Sequence, residues 1–487
     1  MIYDSPFIER LYKRLPVALQ HATVSTYGLL RRLERLTPTY RRYVGELEAT
    51  ERLPLEQLET LQADRLQRLI HHAYENVPYY RRVLDERRLK PSDIRTPDDL
   101  YKLPVLTKQH VRRYGDELRA RNVSASRTTI GRTGGTTGIP LHFLLDKTRV
   151  VLDHALVHRH WSWAGWRPGT WVVLLRGFTL VDPRRDRKVP WRRDWIDRRI
   201  YLSGFHLSVD TMPRYLALLL QWQPPFIAAY PSNLFALARY MEREGIRFST
   251  RAVFTGSEVL TPTERAVIER QFECRVWDRY GTGERLVVAQ QCEHGSYHQN
   301  IEFGILQVDR PRGEPAGRGV RGELVQTGLS NYSMPLIRYA SEDVGGLADG
   351  PCPCGRTLPL MGPVDGRKDD VIVTTDGRMM PRAGLDQIHE FVENMERCQI
   401  VQPRIGELIV RVLPRDGFND ADVAELTRQL QKRMGDDTKI HVEIVSDLAL
   451  TATGKDRFIV SSVDLETLTG LRLQPRPSGV ESPLELG

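Results

Sequence analysis

Three glycines and three threonines lie together in the string Arg132-Thr133-Gly134-Gly135-Thr136-Thr137-Gly138-Ile139-Pro140. Glycine allows backbone N–H groups to turn inward around anionic oxygens, and threonine hydroxyls add hydrogen-bond donors without a formal charge. This composition is typical of a loop that binds phosphate, although a lone loop of this kind is more often a plain turn. The Gly-Lys-Ser/Thr ending of a Walker loop is missing, so the string does not predict a Walker-type site.

Five further short strings contain residue types that bind nucleotides, metal ions or phosphates. They follow the glycine–threonine loop in the order Gly256-Ser257-Glu258, Tyr280-Gly281-Thr282-Gly283-Glu284, Arg338-Tyr339 with Asp343, Gly366-Arg367-Lys368-Asp369-Asp370, and Gly454-Lys455. Each string alone is weak evidence, because a lone tyrosine is more often part of the core and a lone glutamate is usually a surface charge. Their order over about 320 residues is what makes the pattern specific.

The ordered strings resemble the motif set of the adenylate-forming superfamily, which includes acyl-CoA synthetases, luciferases and nonribosomal peptide adenylation domains. The resemblance implies that the glycine–threonine loop binds the phosphates of ATP through Thr133, Gly134, Gly135, Thr136, Thr137 and Gly138. The usual loop has a basic residue before its proline, whereas this chain has Ile139. The rest of the loop is intact, so ATP is the implied nucleotide.

The resemblance also implies contacts with the adenine. Gly256, Ser257 and Glu258 follow a strand-like run, and in the superfamily such a loop lies against the adenine. Tyr280 is expected to pack on the adenine, beside Gly281 and Thr282.

The remaining implied roles concern the metal, the ribose and the moving domain. Glu284 is expected to help hold Mg²⁺ on the phosphates, and Asp343 to accept hydrogen bonds from the ribose hydroxyls. Arg367 would reach the ribose or a phosphate, and Asp369 would be the hinge between two domains. Lys455 corresponds to the lysine that promotes adenylation, although the proline usual in its loop is missing.

These groups suit one reaction in particular. Attack of a carboxylate on the α-phosphorus of ATP develops negative charge and expels pyrophosphate, so it needs cations and N–H donors rather than a nucleophilic side chain. The expected function is therefore activation of a small-molecule carboxylic acid as acyl-AMP, followed by transfer of the acyl group to an acceptor. No convincing Gly-x-Ser-x-Gly elbow competes with this interpretation.

The N-terminal part of the sequence indicates a branch of the superfamily. The stretch from Leu66 to Arg82, followed by Leu103-Pro104-Val105-Leu106-Thr107-Lys108, is similar to the phenylacetate–CoA ligase branch. Within it, the extension over residues 7–59 and the string Tyr230-Pro231-Ser232-Asn233-Leu234 look most like proteins found with capsular-polysaccharide biosynthesis. This branch implies CoA as the acceptor but does not identify the acid. An aromatic acid is one option, with Trp161, Trp163, Trp166, Phe205, His206 and Tyr230 as candidate pocket walls.

Four of the potential metal ligands form two short clusters. Cys292 and His298 give C-x5-H, and Cys352 and Cys354 give C-x-C, which together match the four ligands of a tetrahedral structural Zn²⁺ site. The branch often carries such a zinc. The alternative is that the two later cysteines are turn residues beside prolines and that the histidine is a polar surface residue.

The order of apolar segments predicts an α/β fold. Residues 1–120 have helical periodicity, and apolar runs at residues 171–175, 226–230 and 252–255 then alternate with amphipathic stretches, as in a parallel α/β sheet. We expect a large layered N-terminal domain with a helical N-terminal extension, plus a small mobile α+β C-terminal domain. The predicted units are residues 1–120 (helical), 121–366 (nucleotide- and acid-binding), 367–465 (lid) and 466–487 (disordered tail).

Composition limits the other classes of function. The net charge is +8, with much of the arginine excess at residues 183–199 and 31–42, but no nucleic-acid motif accompanies it, so solvated faces are the expected explanation. No segment has the long uncharged run of a membrane helix, and the N-terminus lacks a secretory signal, which predicts a cytoplasmic protein. The oligomeric state stays open, with a dimer among the options.

Three alternative functions remain at this stage. The acceptor could be an amine on a sugar or small metabolite rather than CoA. The second alternative is a catalytically weakened homologue that still binds nucleotide, which would explain Ile139 and the missing proline before Thr451. The third alternative is a binding module whose basic surface binds polyanions and whose binding does not depend on ATP.

Overall fold

The computed structural model describes residues 11–463 except for residues 13, 36, 134–140, 177–179, 181–188, 205–206, 208–209, 261, 310–314, 316–318, 365–370, 376–378, 382–384, 386–387, 389–390, 393, 447 and 449–457. Within this part of the chain, no helix combines the length and the apolar character needed to cross a bilayer.

Helices dominate the N-terminal part of the described chain. The α-helices are α1 Val17–Arg35, α2 Pro38–Thr50, α3 Leu55–Asn76, α4 Pro78–Glu86, α5 Lys108–Arg113, α6 Lys147–Trp163, α7 Met212–Trp222, α8 Pro231–Arg243, α9 Pro262–Phe272 and α10 Asp420–Met434. Short 3₁₀ turns cover Pro91–Asp93, Pro97–Lys102 and Ala125–Arg127. Pro78 begins α4, which is a position where the missing proline N–H costs no helical hydrogen bond.

Strands make up most of the later part. They are β1 Thr128–Thr133, β2 Leu141–Asp146, β3 Val172–Arg176, β4 Trp191–Asp194, β5 Arg199–Ser203, β6 Phe226–Ala229, β7 Ala252–Phe254, β8 Arg275–Trp277, β9 Arg279–Gly281, β10 Val288–Gln291, β11 Tyr297–Gln299, β12 Gly304–Asp309, β13 Arg321–Gly328, β14 Tyr339–Ala348, β15 Leu360–Met361, β16 Val371–Val373, β17 Met379–Pro381, β18 Met395–Arg404, β19 Glu407–Pro414, β20 Lys439–Ile444 and β21 Ile459–Ser461.

A six-stranded sheet has the order β4-β5-β3-β6-β7-β8, and all its strands are parallel except β4 at the edge. Its central strands are short continuous apolar runs, as expected for a parallel sheet covered on both faces. Residues from α7, α8 and α9 pack on one side, including Leu216, Leu237 and Ile268, and Trp161 and Trp166 pack with the other side.

A seven-stranded antiparallel sheet follows, with the order β12-β13-β14-β15-β11-β10-β9. The N-terminal helices share a core with it, because Leu66, Leu69 and Ile70 of α3 belong to the same buried cluster as Leu336 and Tyr339. The N-terminal helical region is therefore packed on the large domain.

The C-terminal part has its own sheet and its own core. Strands β20-β19-β18-β21 form a four-stranded sheet, and Leu426 and Leu430 of α10 pack against Ile400 and Val410. The α/β fold class, with a large N-terminal domain and a separate small α+β C-terminal domain, is confirmed. The predicted boundary at residues 366–367 and the predicted tail at 466–487 fall outside the described residues, so the domain limits stay predictions.

Candidate active site

Several polar side chains gather at the carboxyl ends of the parallel strands. Arg176 ends β3, Tyr230 follows β6, and Gly256, Ser257 and Glu258 follow β7. The guanidinium carbon of Arg176 lies 5.8 Å from the centre of the Tyr230 ring. Burial raises the pKa of Tyr230, the charge of Arg176 opposes this shift, and the charge of Glu258 adds to it. Because open α/β sheets bind ligands outside the carboxyl ends of their strands, this edge is the candidate active site.

A tight backbone approach shapes the loop after β7. A Cβ atom added to Gly256 would lie 2.9 Å from the backbone oxygen of Arg279, closer than such contacts occur in proteins. The next residue, Ser257, adopts a left-handed conformation with φ of 72°. The glycine therefore lets this loop contact the start of β9, where Tyr280 lies.

Four side chains from three strands form a hydrogen-bonded network, here called the tyrosine–carboxylate network: Tyr280, Thr282, Gln326 and Asp343. The hydroxyl of Tyr280 donates to Oδ2 of Asp343 at 2.9 Å and accepts from Nε2 of Gln326 at 2.8 Å. Oγ1 of Thr282 donates to Oε1 of Gln326 at 3.2 Å. Burial raises the pKa of Tyr280 well above its usual value, and Asp343 adds to the shift. The phenol therefore stays protonated and holds the Asp343 carboxylate in one direction.

Glu284 lies next to this network and is also held by a tyrosine. The hydroxyl of Tyr339 donates to its Oε1 at 2.6 Å, and the Glu284 residue is only 5% exposed. Tyr339 and Gln326 are direct partners in the pairing of β13 with β14, so the two tyrosine–carboxylate pairs are neighbours. The charge of Glu284 makes a small contribution to the raised pKa of Tyr280.

An ion cluster anchors both ends of the string 280–284 to helix α6. Asp153 accepts a hydrogen bond from Nη2 of Arg279 at 2.5 Å, and its other oxygen lies 3.8 Å from Nη1 of Arg285. Burial alone would raise the pKa of Asp153, but Arg279, Arg285 and Arg149 hold it below its ordinary range. These residues fix the backbone that presents Tyr280 and Glu284.

The structure brings together part of the residue set predicted from the sequence. Tyr280, Thr282 and Asp343 share one network, Glu284 adjoins it, Gly281 lies on β9, and residues 256–258 follow strand β7. Thr133 ends β1, and its backbone pairs with Leu141. Gly134, Gly135, Thr136, Thr137, Gly138, Arg367, Asp369 and Lys455 lie outside the described residues.

Some functional candidates differ from the sequence-based expectation. Gln326 and Asp153 were not predicted, since nothing in their local sequence distinguishes them from ordinary sheet and helix residues. Tyr339 belongs to the predicted string Arg338-Tyr339 with Asp343, but no role was predicted for its own side chain. Trp161 and Trp166 were expected as pocket walls, but they lie in the core against Phe254. They are large aromatic side chains next to a buried sheet, so burial explains them better than ligand contact.

A second group of side chains has the geometry of a metal centre. One ligand atom from each of Cys292, His298, Cys352 and Cys354 lies within 4.8 Å of the others. Nδ1 of His298 is 3.2 Å from the backbone oxygen of Leu358, so Nδ1 carries the proton and Nε2 faces Sγ of Cys354 at 3.3 Å. Burial lowers the pKa of His298 to about 4, which keeps the ring neutral. Three sulfurs and a neutral imidazole nitrogen are a donor set that fits tetrahedral Zn²⁺.

Neighbouring residues hold the four side chains in place, as hydrogen-bond partners of metal ligands generally do. Backbone N–H groups of His294 and Arg356 donate to Sγ of Cys292 and Cys354, each at 3.4 Å. The Arg356 guanidinium lies 4.2 Å from the centre of the Trp163 ring, and Trp163 Nε1 donates to Glu51 at 2.6 Å. The cluster thus connects the antiparallel sheet with α6 and with the N-terminal helices.

Comparisons with known proteins agree with this fold and site. The family described as the CapK C-terminal domain matches residues 372–462. Protein CapK from Staphylococcus aureus is 24% identical over 465 residues, which cover 93% of this chain and 99% of CapK. The phenylacetate–coenzyme A ligase of Thermus thermophilus is 29% identical over 377 residues, which cover 75% of this chain and 82% of that ligase. This chain is a homologue of CapK and of the phenylacetate–coenzyme A ligases. The branch predicted from the sequence is thereby confirmed.

Solved structures of ligases share the fold of this chain. 2-Hydroxyisobutyryl-CoA ligase, in complex with 2-HIB-AMP and CoA, superimposes with a TM-score of 0.56. Its identity to this chain is 22%, and the match covers 85% of this chain and 92% of the ligase. The large domain and the small C-terminal domain are therefore those of the adenylate-forming fold.

Proposed function

We propose that the chain is an ATP-dependent ligase that converts a carboxylic acid to acyl-AMP with release of pyrophosphate and then transfers the acyl group to CoA. The tyrosine–carboxylate network beside Glu284 carries this proposal, because it places oriented carboxylates at the edge of the sheet where a nucleotide would bind. The homology with phenylacetate–coenzyme A ligases supports the same chemistry.

In this proposal Asp343 binds the ribose. A carboxylate accepts hydrogen bonds from two adjacent hydroxyls well, and Tyr280 and Gln326 hold this one in position. The ring of Tyr280 would pack on the adenine, and the loop of residues 256–258 would line its edge. Because the supporting groups are already ordered, nucleotide binding does not need to reorganise them.

Glu284 fits the role of a Mg²⁺ ligand. Its carboxylate is a hard oxygen donor, as Mg²⁺ requires, and the hydrogen bond from Tyr339 sets its orientation. The ion would neutralise charge on the phosphates of ATP. The buried position of Glu284 limits competition from bulk water for the carboxylate.

The acid would enter at the ends of β3 and β6. Arg176 supplies a positive charge there, and Tyr230 supplies an aromatic wall beside it. One oxygen of the acid attacks the α-phosphorus of ATP, and the bond to pyrophosphate breaks. Lys455, in the loop outside the described residues, would stabilise the added negative charge. The small domain would then rotate at Asp369, after which the CoA thiolate attacks the acyl carbon and AMP leaves.

Zinc is part of the same proposal but has no place in the reaction. Cys292, His298, Cys352 and Cys354 would supply all four ligands, so no position is left for substrate. When bound, the ion would act as a structural cross-link.

The direct test is a screen of carboxylic acids with the purified protein, ATP, Mg²⁺ and CoA, read out as pyrophosphate release. Phenylacetate is the first probe because of the homologues. Release that depends on one acid, with AMP and an acyl-CoA thioester as products, supports the proposal. Release that requires an added amine and yields an amide would contradict CoA as the acceptor. Absence of acid-dependent AMP formation across the library would reject the ligase itself.

Replacing Asp343 with asparagine is expected to raise the KM for ATP about 30-fold. The change removes charged hydrogen bonds to the ribose, which contribute about 2 kcal/mol. Tyr280→Phe keeps the ring on the adenine and loses only the hydroxyl, so its KM is expected to rise about fivefold. Initial rates at varied ATP concentration give the KM for ATP of both variants.

Tyr74→Phe is the matched control for Tyr280→Phe, because the Tyr74 hydroxyl donates to Asp85 at 3.0 Å on the surface, between α3 and α4. This control should leave the KM for ATP unchanged. Equal effects of Tyr74→Phe and Tyr280→Phe would argue against a nucleotide contact for the network.

Replacing Glu284 with glutamine is expected to lower kcat/KM about 100-fold and to move half-saturation by Mg²⁺ to higher concentration. The uncharged amide is a much poorer ligand for Mg²⁺ than a carboxylate. Tyr339→Phe should have an intermediate effect, since it leaves the carboxylate in place but less well oriented. A Mg²⁺ titration of each variant that coincides with the wild-type curve would reject the assignment.

A further inference from the structure

Helix α1 exposes apolar side chains along one face. The positions of α1 open to solvent recur every three or four residues, and they are Ala18, Leu19, Ala22, Thr26, Leu29, Leu30 and Leu33. Leu19, Leu30 and Leu33 are 52%, 56% and 63% exposed. From Leu19 to Leu33 this apolar stripe is about 20 Å long at the usual helical rise.

The opposite face of α1 packs on strand β4 and is mostly polar, with Gln20 and Ser25 buried along with Val24. The backbone N–H of Arg193 donates to Nδ1 of His21 at 3.0 Å, and that of Trp195 donates to Oγ of Ser25 at 3.1 Å. Asp194 lies directly against Gly28, where no side chain intervenes. The helix is therefore inverted relative to an ordinary surface helix, which turns its apolar stripe to the core and its polar side chains to water.

Positive charge is concentrated in the two sequence segments that contain α1 and β4. Residues 1–42 contain eight basic residues (lysine or arginine) and three acidic residues. Residues 182–199 contain eight basic residues and four acidic residues. These segments hold the whole positive excess of the chain, which is +8, so the remainder is close to neutral. Within the described residues, Arg14 and Arg198 are exposed and Arg32 and Arg193 are half-buried on or next to α1 and β4.

Tryptophan and arginine side chains gather around the turn after β4. Trp195, in the turn after β4, is 50% exposed and lies 5.5 Å from Trp171 between ring centres. The Arg193 guanidinium lies 3.7 Å from the centre of the Trp222 ring, and that of Arg198 lies 5.4 Å from Trp171. Exposed tryptophan next to arginine is characteristic of surfaces that enter the headgroup region of a bilayer.

We propose that α1 and the β4–β5 turn form a docking surface for an anionic membrane. The leucine stripe enters the boundary between headgroups and acyl chains, and the flanking arginines contact the negative headgroups. Charge selects this occupant over a second copy of the chain, because two such basic faces would repel each other. The inference does not depend on the ligase activity.

The test is co-sedimentation of the full-length protein with vesicles at low salt. Binding is expected with vesicles of phosphatidylglycerol and phosphatidylcholine, at least about tenfold weaker with phosphatidylcholine alone, and strongly reduced by 0.5 M NaCl. The double variant Leu19→Gln/Leu30→Gln should lose at least about tenfold in affinity. Glutamine has a helix propensity close to that of leucine, so the melting temperature should stay unchanged.

The matched control is Leu55→Gln/Leu220→Gln, which alters two leucines that are each 42% exposed on α3 and α7. This variant should bind vesicles as the wild type does. Equal loss in both double variants, or no vesicle binding by the wild type, overturns the proposal. A third outcome also overturns it. In that outcome the wild type is a dimer, the Leu19→Gln/Leu30→Gln variant is a monomer, and neither protein binds vesicles.

Discussion

Replacing Lys455 with alanine is expected to lower acid-dependent ATP–pyrophosphate exchange about 1000-fold. The adenylation step adds negative charge at the α-phosphate, and loss of one preorganised cation there costs about 4 kcal/mol of transition-state stabilisation. If the small domain rotates after adenylation, the lysine is no longer in the site when CoA attacks. Synthetic acyl-AMP supplied with CoA should therefore be converted to thioester at nearly the wild-type rate.

Lys439→Ala is the control for this experiment. Lys439 begins β20 of the same small domain and is exposed, so its removal should leave both half-reactions unchanged. A Lys455→Ala enzyme that exchanges pyrophosphate normally would reject the role assigned to Lys455. An equal loss in both half-reactions would instead place the lysine in nucleotide binding common to the two steps, and would contradict rotation.

The strand-forming segments of the large domain could be predicted because their sequences are locally distinctive. The apolar runs at residues 171–175, 226–230 and 252–255 became β3, β6 and β7. Parallel topology then brings the carboxyl ends of such strands to one edge, where Tyr230 and residues 256–258 lie. The binding roles of these residues rest on the family resemblance and on residue type, and they stay predictions.

Other members of the site depend on pairing between distant segments. Gln326 faces Tyr339 only because β13 pairs with β14 in one register, and that register has a bulge between Glu323 and Val325. A shift of one residue would turn both side chains to the other face of the sheet. Asp153 meets Arg279 and Arg285 across more than 120 positions of chain. No local signal in the sequence specifies such contacts.

Helix α1 shows a different limit. Its apolar periodicity predicts a helix correctly, but the usual rule that the apolar stripe faces the core gives the wrong orientation. The polar contacts of His21 and Ser25 with the backbone of Arg193 and Trp195 determine the orientation, and they involve residues about 170 positions away. A binding role for the exposed face, rather than packing in the core, can favour this orientation of the helix.

Replacing Cys354 with serine is expected to remove bound zinc and to lower the melting temperature by about 10 °C. Loss of one of four ligands leaves three donors around the ion, and metal binding contributes directly to folding free energy. A loss of about 4 kcal/mol corresponds to a shift of this size in a domain of 150–250 residues. Metal content by elemental analysis, about one zinc per wild-type chain, and thermal unfolding measure the two effects.

Cys274→Ser separates loss of metal from loss of a thiol. Cys274 is half-buried beside the core of the parallel sheet and is not among the four clustered side chains, so this variant should keep its zinc. In Cys354→Ser, destabilisation should extend to the N-terminal helices, because Thr357 donates to the backbone oxygen of Leu53 at 2.5 Å and Trp163 donates to Glu51. Faster amide exchange in α2 and α3 would show this. The zinc assignment is wrong if the wild-type protein contains no zinc or if Cys354→Ser has unchanged stability. In that case hydrogen bonds and packing alone hold the four side chains together.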